Sequence, residues 1–214
     1  PVLWNASVDA KLSDNNSDGI DLPIDPDYRF FTLENLDDYL SLKFEANQGR
    51  YGILFDSLRA RYQDEISNSF ANFNVGTELG FVELSARYQL SSKFELDLIG
   101  GVRRCYLDID WSMQILMLPA TAKHYSFHWT DPLIGLRYHY PLSNKWHAWL
   151  RGDIGGFNVS TQRLTNFSAD MQYMINLHLS LTMGYRYLKI DFKEDDILYD
   201  VSLNGLQFGI AVYF

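Results

Sequence analysis

The sequence predicts an all-β protein, an up-and-down antiparallel transmembrane β-barrel of about ten strands. Three observations carry that reading. Apolar residues recur at every second position through most of the chain, and short turns alternate with longer polar loops. No apolar run approaches the ~18 to 20 residues of a spanning helix, although 47% of the 214 residues are hydrophobic and 15% aromatic. A period of two marks a strand, because successive side chains point to opposite faces. Here the second face carries too many charges to be the wet exterior of a lipocalin-like barrel or sandwich, whose apolar face points inward. The apolar face is therefore assigned to lipid and the polar face to a lumen.

Val2 to Leu12 puts Val2, Trp4, Ala6, Val8, Ala10 and Leu12 on one face, so it is the first strand. Ser13 to Asp37 is acidic and punctuated by Pro23 and Pro26, which makes it a long loop. Asp38 to Asn47 alternates again and turns at Gln48-Gly49-Arg50 into Tyr51 to Gln63, a hairpin. Asp64 to Asn74 reads as a polar loop before the strand Val75 to Leu90. Ser91-Ser92-Lys93 leads into Phe94 to Trp111, where the apolar set changes parity beyond Arg104, as a bulge or emergence from the bilayer would produce. Ser112 to Thr130 is expected to be a second long loop. Asp131 to Leu142 and Trp146 to Val159 form a hairpin around Ser143-Asn144-Lys145, and Phe167 to Leu177 pairs with Leu179 to Phe192. Lys193-Glu194-Asp195-Asp196 then leads to the last strand, where Leu206, Phe208, Ile210, Val212 and Phe214 share one face. An even strand count places both termini on the short-turn side, the periplasm. Aromatic residues near strand ends fit a membrane interface.

No linker or shift in composition divides residues 1–214, so one domain is expected. Pro1 is not followed by a basic segment and apolar core, so a signal peptide is expected to have been removed. A net charge of −9 and a pI near 4.9 argue against nucleic-acid phosphate as a partner. The single cysteine, Cys105, can form no intramolecular disulfide, so the backbone hydrogen-bond network must hold the fold.

The final strand, ending on Phe214, resembles the C-terminal strand of Gram-negative outer-membrane β-barrels, which the assembly machinery reads. Three further stretches resemble a largely uncharacterised group of small outer-membrane barrels: Asp131-Pro132-Leu133-Ile134-Gly135-Leu136-Arg137-Tyr138, Arg151-Gly152-Asp153-Ile154-Gly155-Gly156-Phe157 and Gly184-Tyr185-Arg186-Tyr187-Leu188. The resemblance covers about residues 131–214 and implies an outer-membrane barrel with no activity to carry over. Its implied partners are outer-membrane lipid and lipopolysaccharide, the barrel-assembly machinery and periplasmic chaperones.

Alternation places Lys11, Lys43, Arg87, Arg103, Arg137, Arg151 and Arg186 inward with Asp9, Glu45, Asp56, Glu83, Glu95, Asp97, Asp153 and Asp170. Near-balance in a narrow interior predicts a paired network that plugs the lumen. Arg151, Arg186, Asp153 and Asp170 are expected to pair with one another. Arg151-Gly152-Asp153 matches an adhesion tripeptide, but both charges point inward from mid-strand. His139 and His147 flank a periplasmic turn and face each other. His124 and His128 would be ~13 Å apart on a strand and could share a zinc ion only on a helical turn. No Ser/His/Asp set is readable, since its members would be neighbours in space and not in sequence. In the first loop, Asp14, Asn16 and Asp18 with Asp25 at the twelfth position match the spacing of a calcium loop, without flanking helices. Weak calcium is the one cofactor considered. The function read from these features is a structural or surface-interaction barrel, with a narrow channel or transporter as the alternative and an outer-membrane enzyme third.

Overall fold

The computed structural model describes residues 2–14, 36–67, 71–91, 93–115, 121–194 and 197–214. They form ten strands: β1 (Val2–Asp14), β2 (Leu36–Gln48), β3 (Tyr51–Ser67), β4 (Ala71–Ser91), β5 (Leu96–Ile115), β6 (Thr121–Pro141), β7 (Trp146–Gly156), β8 (Arg163–Met174), β9 (Leu179–Glu194) and β10 (Ile197–Val212). All neighbours are antiparallel, and the order is β1-β10-β9-β8-β7-β6-β5-β4-β3-β2. The sheet curls until its edges, β1 and β2, come within 8 Å (Cα to Cα), and no ladder joins them among the described residues. Short turns close one end. At the β2–β3 turn Gly49 has φ +60°, a left-handed conformation that costs a residue without Cβ nothing.

The middle of each strand is apolar outside and polar inside. Val82, Leu84, Leu98, Val102, Ile134, Leu136, Leu150, Ile154, Phe208 and Ile210 stand exposed on the outer wall, while Glu83, Asp97, Arg103, Asp153 and Arg186 are buried within. This inverts a soluble barrel and suits a wall solvated by lipid. Aromatic pairs mark the short-turn edge of the apolar band: Tyr51 lies 5.1 Å from Tyr88 and Trp146 4.9 Å from Tyr173, centroid to centroid. Rings with a polar tip favour that boundary.

Three sequence expectations are corrected at the opposite end. Residues 64–67 and 71–74 continue β3 and β4, and 112–115 and 121–130 continue β5 and β6, where loops were expected. The change of parity beyond Arg104 involves no bulge, since β5 keeps register with β4 and β6 throughout that region. Beyond the apolar band the pattern reverses, with polar residues outward and apolar ones inward. Arg59 and Arg61 on β3 meet Glu78 on β4 on that outer wall, at 2.8 Å each. Leu58, Ala60, Tyr62, Leu79, Phe81, Cys105, Leu164, Leu188 and Ile190 form one buried cluster inside. β8 also begins at Arg163, earlier than expected, and ends at Met174.

Candidate functional site: the charged lumen

The inward rows of β2 to β10 build the lumen in layers, because residues i and i+2 of every strand face it. Reading β5 from its short-turn end, these residues are Asp97, Ile99, Gly101, Arg103, Cys105 and Leu107, so charge gives way to apolar surface along one strand.

The central layer spans the barrel. Arg103 on β5 has a fully buried side chain and donates from Nε (3.2 Å) and Nη2 (2.6 Å) to Glu83 on β4, and from Nη2 (2.9 Å) to Asp153 on β7. Arg151 donates to the other Glu83 oxygen at 2.7 Å and to Asp153 at 2.8 Å. Ser85 adds a 2.6 Å bond to Glu83, and Asn166 a 2.6 Å bond to Asp153. Arg186 on β9 bonds Asn166 Oδ1 at 3.0 Å and reaches Asp56 on β3 at 3.1 Å. Guanidinium forks suit this role, since Arg103 and Arg151 each bridge Glu83 and Asp153 from a fixed plane. Phe81 forms the boundary with the apolar cluster above, its ring flanked by Arg103 (5.4 Å) and Arg186 (4.7 Å).

A second layer lies toward the short turns. Arg137 on β6 binds Glu45 on β2 (2.7 and 2.8 Å) and Asp97 (2.9 Å), and Arg87 binds the other Asp97 oxygen at 2.8 Å. Buried Leu54, Ile99 and Leu133 form a separate apolar cluster. Across both layers five arginines, 87, 103, 137, 151 and 186, meet five carboxylates, 45, 56, 83, 97 and 153. Charges held away from water persist when paired and hydrogen-bonded in this way.

At the short-turn mouth, His139 is bonded to the Glu95 carboxylate through Nδ1 and to His147 Nδ1 through Nε2 at 2.9 Å. Its ring stacks on Trp149 at 4.0 Å, and the Arg137 guanidinium lies 4.9 Å from the Trp149 ring. Trp149 Nε1 donates to Gln172 at 2.9 Å. Gln172 in turn donates to Ser180 and to the Tyr213 hydroxyl.

The expected mutual pairing of Arg151, Arg186, Asp153 and Asp170 is only partly realised. Arg151 binds Asp153, but Arg186 takes Asp56, and Asp170 accepts from the Gln207 amide. Neutral Asn166, Gln172 and Gln207 complete the layers, and a search for charges passes over them. His124 and His128 lie on β6, which removes the helical turn a shared zinc ion required. His124 bonds Asp110 at 2.6 Å and His128 bonds Ser126 at 2.9 Å, so the serine and the carboxylate serve different histidines and form no relay. Among the described residues no group of three or more His, Cys, Asp or Glu is placed to hold a metal. Asp14 ends β1, and Asn16, Asp18 and Asp25 lie outside the described residues. Leu206, Phe208, Ile210, Val212 and Phe214 form an exposed outer row.

No family model matches the chain, and no curated protein matches it. Several solved structures are similar to it. The translocator domain of the autotransporter NalP from Neisseria meningitidis shares 14% identity over 95% of this chain and 68% of its own, with a TM-score of 0.49. The NanC porin shares 10% over 99% and 100%, with a TM-score of 0.38. The transport unit of the autotransporter AIDA-I from Escherichia coli shares 11% over 100% and 90%, with a TM-score of 0.39. At these identities and TM-scores none of their activities carries over to this chain.

Proposed function

We propose that the chain is an integral protein of a bacterial outer membrane with a closed lumen, acting as a structural or surface-interaction barrel and not as an open pore. One observation carries this reading: Arg103, Glu83 and Asp153 join β5, β4 and β7 across the interior with side chains wholly shielded from solvent. The apolar cluster around Phe81 lies directly above them. An ion entering from the outer end would have to leave water for hydrocarbon and then displace fixed ion pairs. Either step is costly. Outer-membrane lipid, lipopolysaccharide included, would bathe the exposed apolar row, and the assembly machinery with its chaperones would deliver the chain.

Planar-bilayer recording on the purified, refolded protein tests the reading. Current indistinguishable from protein-free bilayers is expected. Reproducible unitary steps that scale with protein concentration would overturn it in favour of a narrow channel.

A further inference from the structure

Three of the four short turns present a cation, and each cation lies over an aromatic ring at the end of the outer wall. The Arg50 guanidinium in the β2–β3 turn is 5.6 Å from the centre of the Tyr88 ring, the Lys93 ammonium in the β4–β5 turn 5.5 Å from Phe94, and the Lys145 ammonium in the β6–β7 turn 5.9 Å from Tyr173. Tyr88 and Tyr173 belong to the outward aromatic pairs, with exposed Tyr51 and Trp146, and Phe94 is 60% exposed. A charge resting on these rings stands beside the outer apolar band and not in the lumen. Backbone bonds hold the turns in place. The Arg50 carbonyl accepts from the Gln89 amide and the Lys145 carbonyl from the Met174 amide, at 2.8 Å each. Ser143 Oγ accepts from the Lys145 and Trp146 amides at 3.3 and 3.1 Å, and Ser91 Oγ from the Phe94 amide at 3.3 Å.

The protein supplies these cations with no counter-charge. Segments 48–51, 91–94, 142–146 and 174–179, which make the four turns, contain no Asp or Glu. Among the described residues Arg50, Lys93 and Lys145 form no ion pair. The carboxylates nearest this end are already engaged, Glu95 by His139 and Glu45 by Arg137. In a chain whose net charge is −9, the short-turn rim is a local reversal of sign.

We propose that this rim binds the phosphate groups of anionic phospholipids in the leaflet at the short-turn end of the barrel. The apolar band next to it is solvated by acyl chains, so the anions within reach of the three cations are the headgroups of those same lipids. Aromatic rings with cations above them fit the level at which acyl chain gives way to phosphate. Arg50 offers a fork to two phosphate oxygens, and Lys93 and Lys145 act as point charges. The inference deepens the reading of an integral membrane barrel and rests on it.

Native mass spectrometry of the whole refolded barrel, released from micelles doped with equal amounts of phosphatidylglycerol and phosphatidylcholine, reads which lipid stays bound. Phosphatidylglycerol should be retained at least about tenfold over phosphatidylcholine, and Arg50→Gln/Lys93→Gln/Lys145→Gln should bring the two within about twofold of each other. Lys145→Gln alone should lower the preference about two- to threefold. The same change of charge at the other end, Arg59→Gln/Arg61→Gln/Lys123→Gln, should leave it intact. Heat-modifiable migration verifies the fold of each variant. Equal retention of the two lipids by the parent barrel, or an unchanged preference in the rim variants, would overturn the proposal. So would its loss in the variant of the other end, since net charge and not position would then be the cause. Displacement of the lipid by inorganic phosphate, but not by chloride of equal ionic strength, would also overturn it in favour of a site for free phosphate. A chain that fails to insert into vesicles sinks the membrane reading itself, whereas an inserted barrel without the preference sinks only the rim.

Discussion

Replacing Arg103 with Leu probes the interior where it is most fully dehydrated. The substitution removes three hydrogen bonds, two to Glu83 and one to Asp153. Glu83 keeps Arg151 and Ser85, and Asp153 keeps Arg151 and Asn166. Two carboxylates that shared two guanidiniums then share one, which leaves one uncompensated negative charge in a layer without solvent. Removing one partner of a buried pair costs about 3 to 5 kcal/mol, more than the pair itself contributes, because the remaining charge stays desolvated. Adding Glu83→Gln to the variant removes the excess charge. It should restore part of the loss, giving a coupling energy of at least about 1.5 kcal/mol in a double-mutant cycle. Urea unfolding in lipid vesicles, followed by tryptophan fluorescence and by heat-modifiable migration, supplies the free energies. Arg103→Leu within about 0.5 kcal/mol of the parent, a shift typical of surface substitutions, would refute the argument that these charges are dehydrated and mutually dependent.

Three further outcomes follow from the same geometry. Asp131→Ala should unpin the β7–β8 loop by stranding three donors, the Ser160 and Thr161 amides and Thr161 Oγ1, costing about 1 to 3 kcal/mol locally; limited chymotrypsin digestion should then cut at Phe157 while the ten-stranded sheet survives. Phe81→Ala should destabilise by about 3 to 5 kcal/mol through the cavity it leaves, yet keep the lumen closed because the ion-pair layer remains, whereas Phe81→Ala with Arg103→Ala should produce bilayer conductance. If the acidic first loop binds calcium, calorimetry should give a dissociation constant of ~0.1 to 1 mM, and an Asp14→Ala/Asp18→Ala variant should lose that heat; an equal response in both proteins would leave an ordinary acidic loop.

The strands, their number and the sense of the barrel wall were legible because alternation is a local property: Val82, Leu84, Ala86, Tyr88 and Leu90 declare their common face whatever surrounds them. The same local rule misled beyond the apolar band. Tyr125, Phe127 and Trp129 alternate with polar residues as regularly as any row of the outer apolar band, but they hold the inward parity of β6. Without the point at which the outer apolar band ends, that reversal reads as a change of parity or as loop.

Sequence alone determined that charged residues line the interior, and it named Arg103, Arg151, Glu83 and Asp153 among them. Only the tertiary structure decided who meets whom. Arg186 finds Asp56 from 130 residues away, Arg137 finds Glu45 from 92, and neutral Asn166 joins Asp153 to Arg186. Those meetings depend on strand tilt and on how far the sheet curls, which register and closure set for the whole barrel together. No period of two along one strand contains that information, so partners across the lumen appear only once the wall has bent round to bring them together.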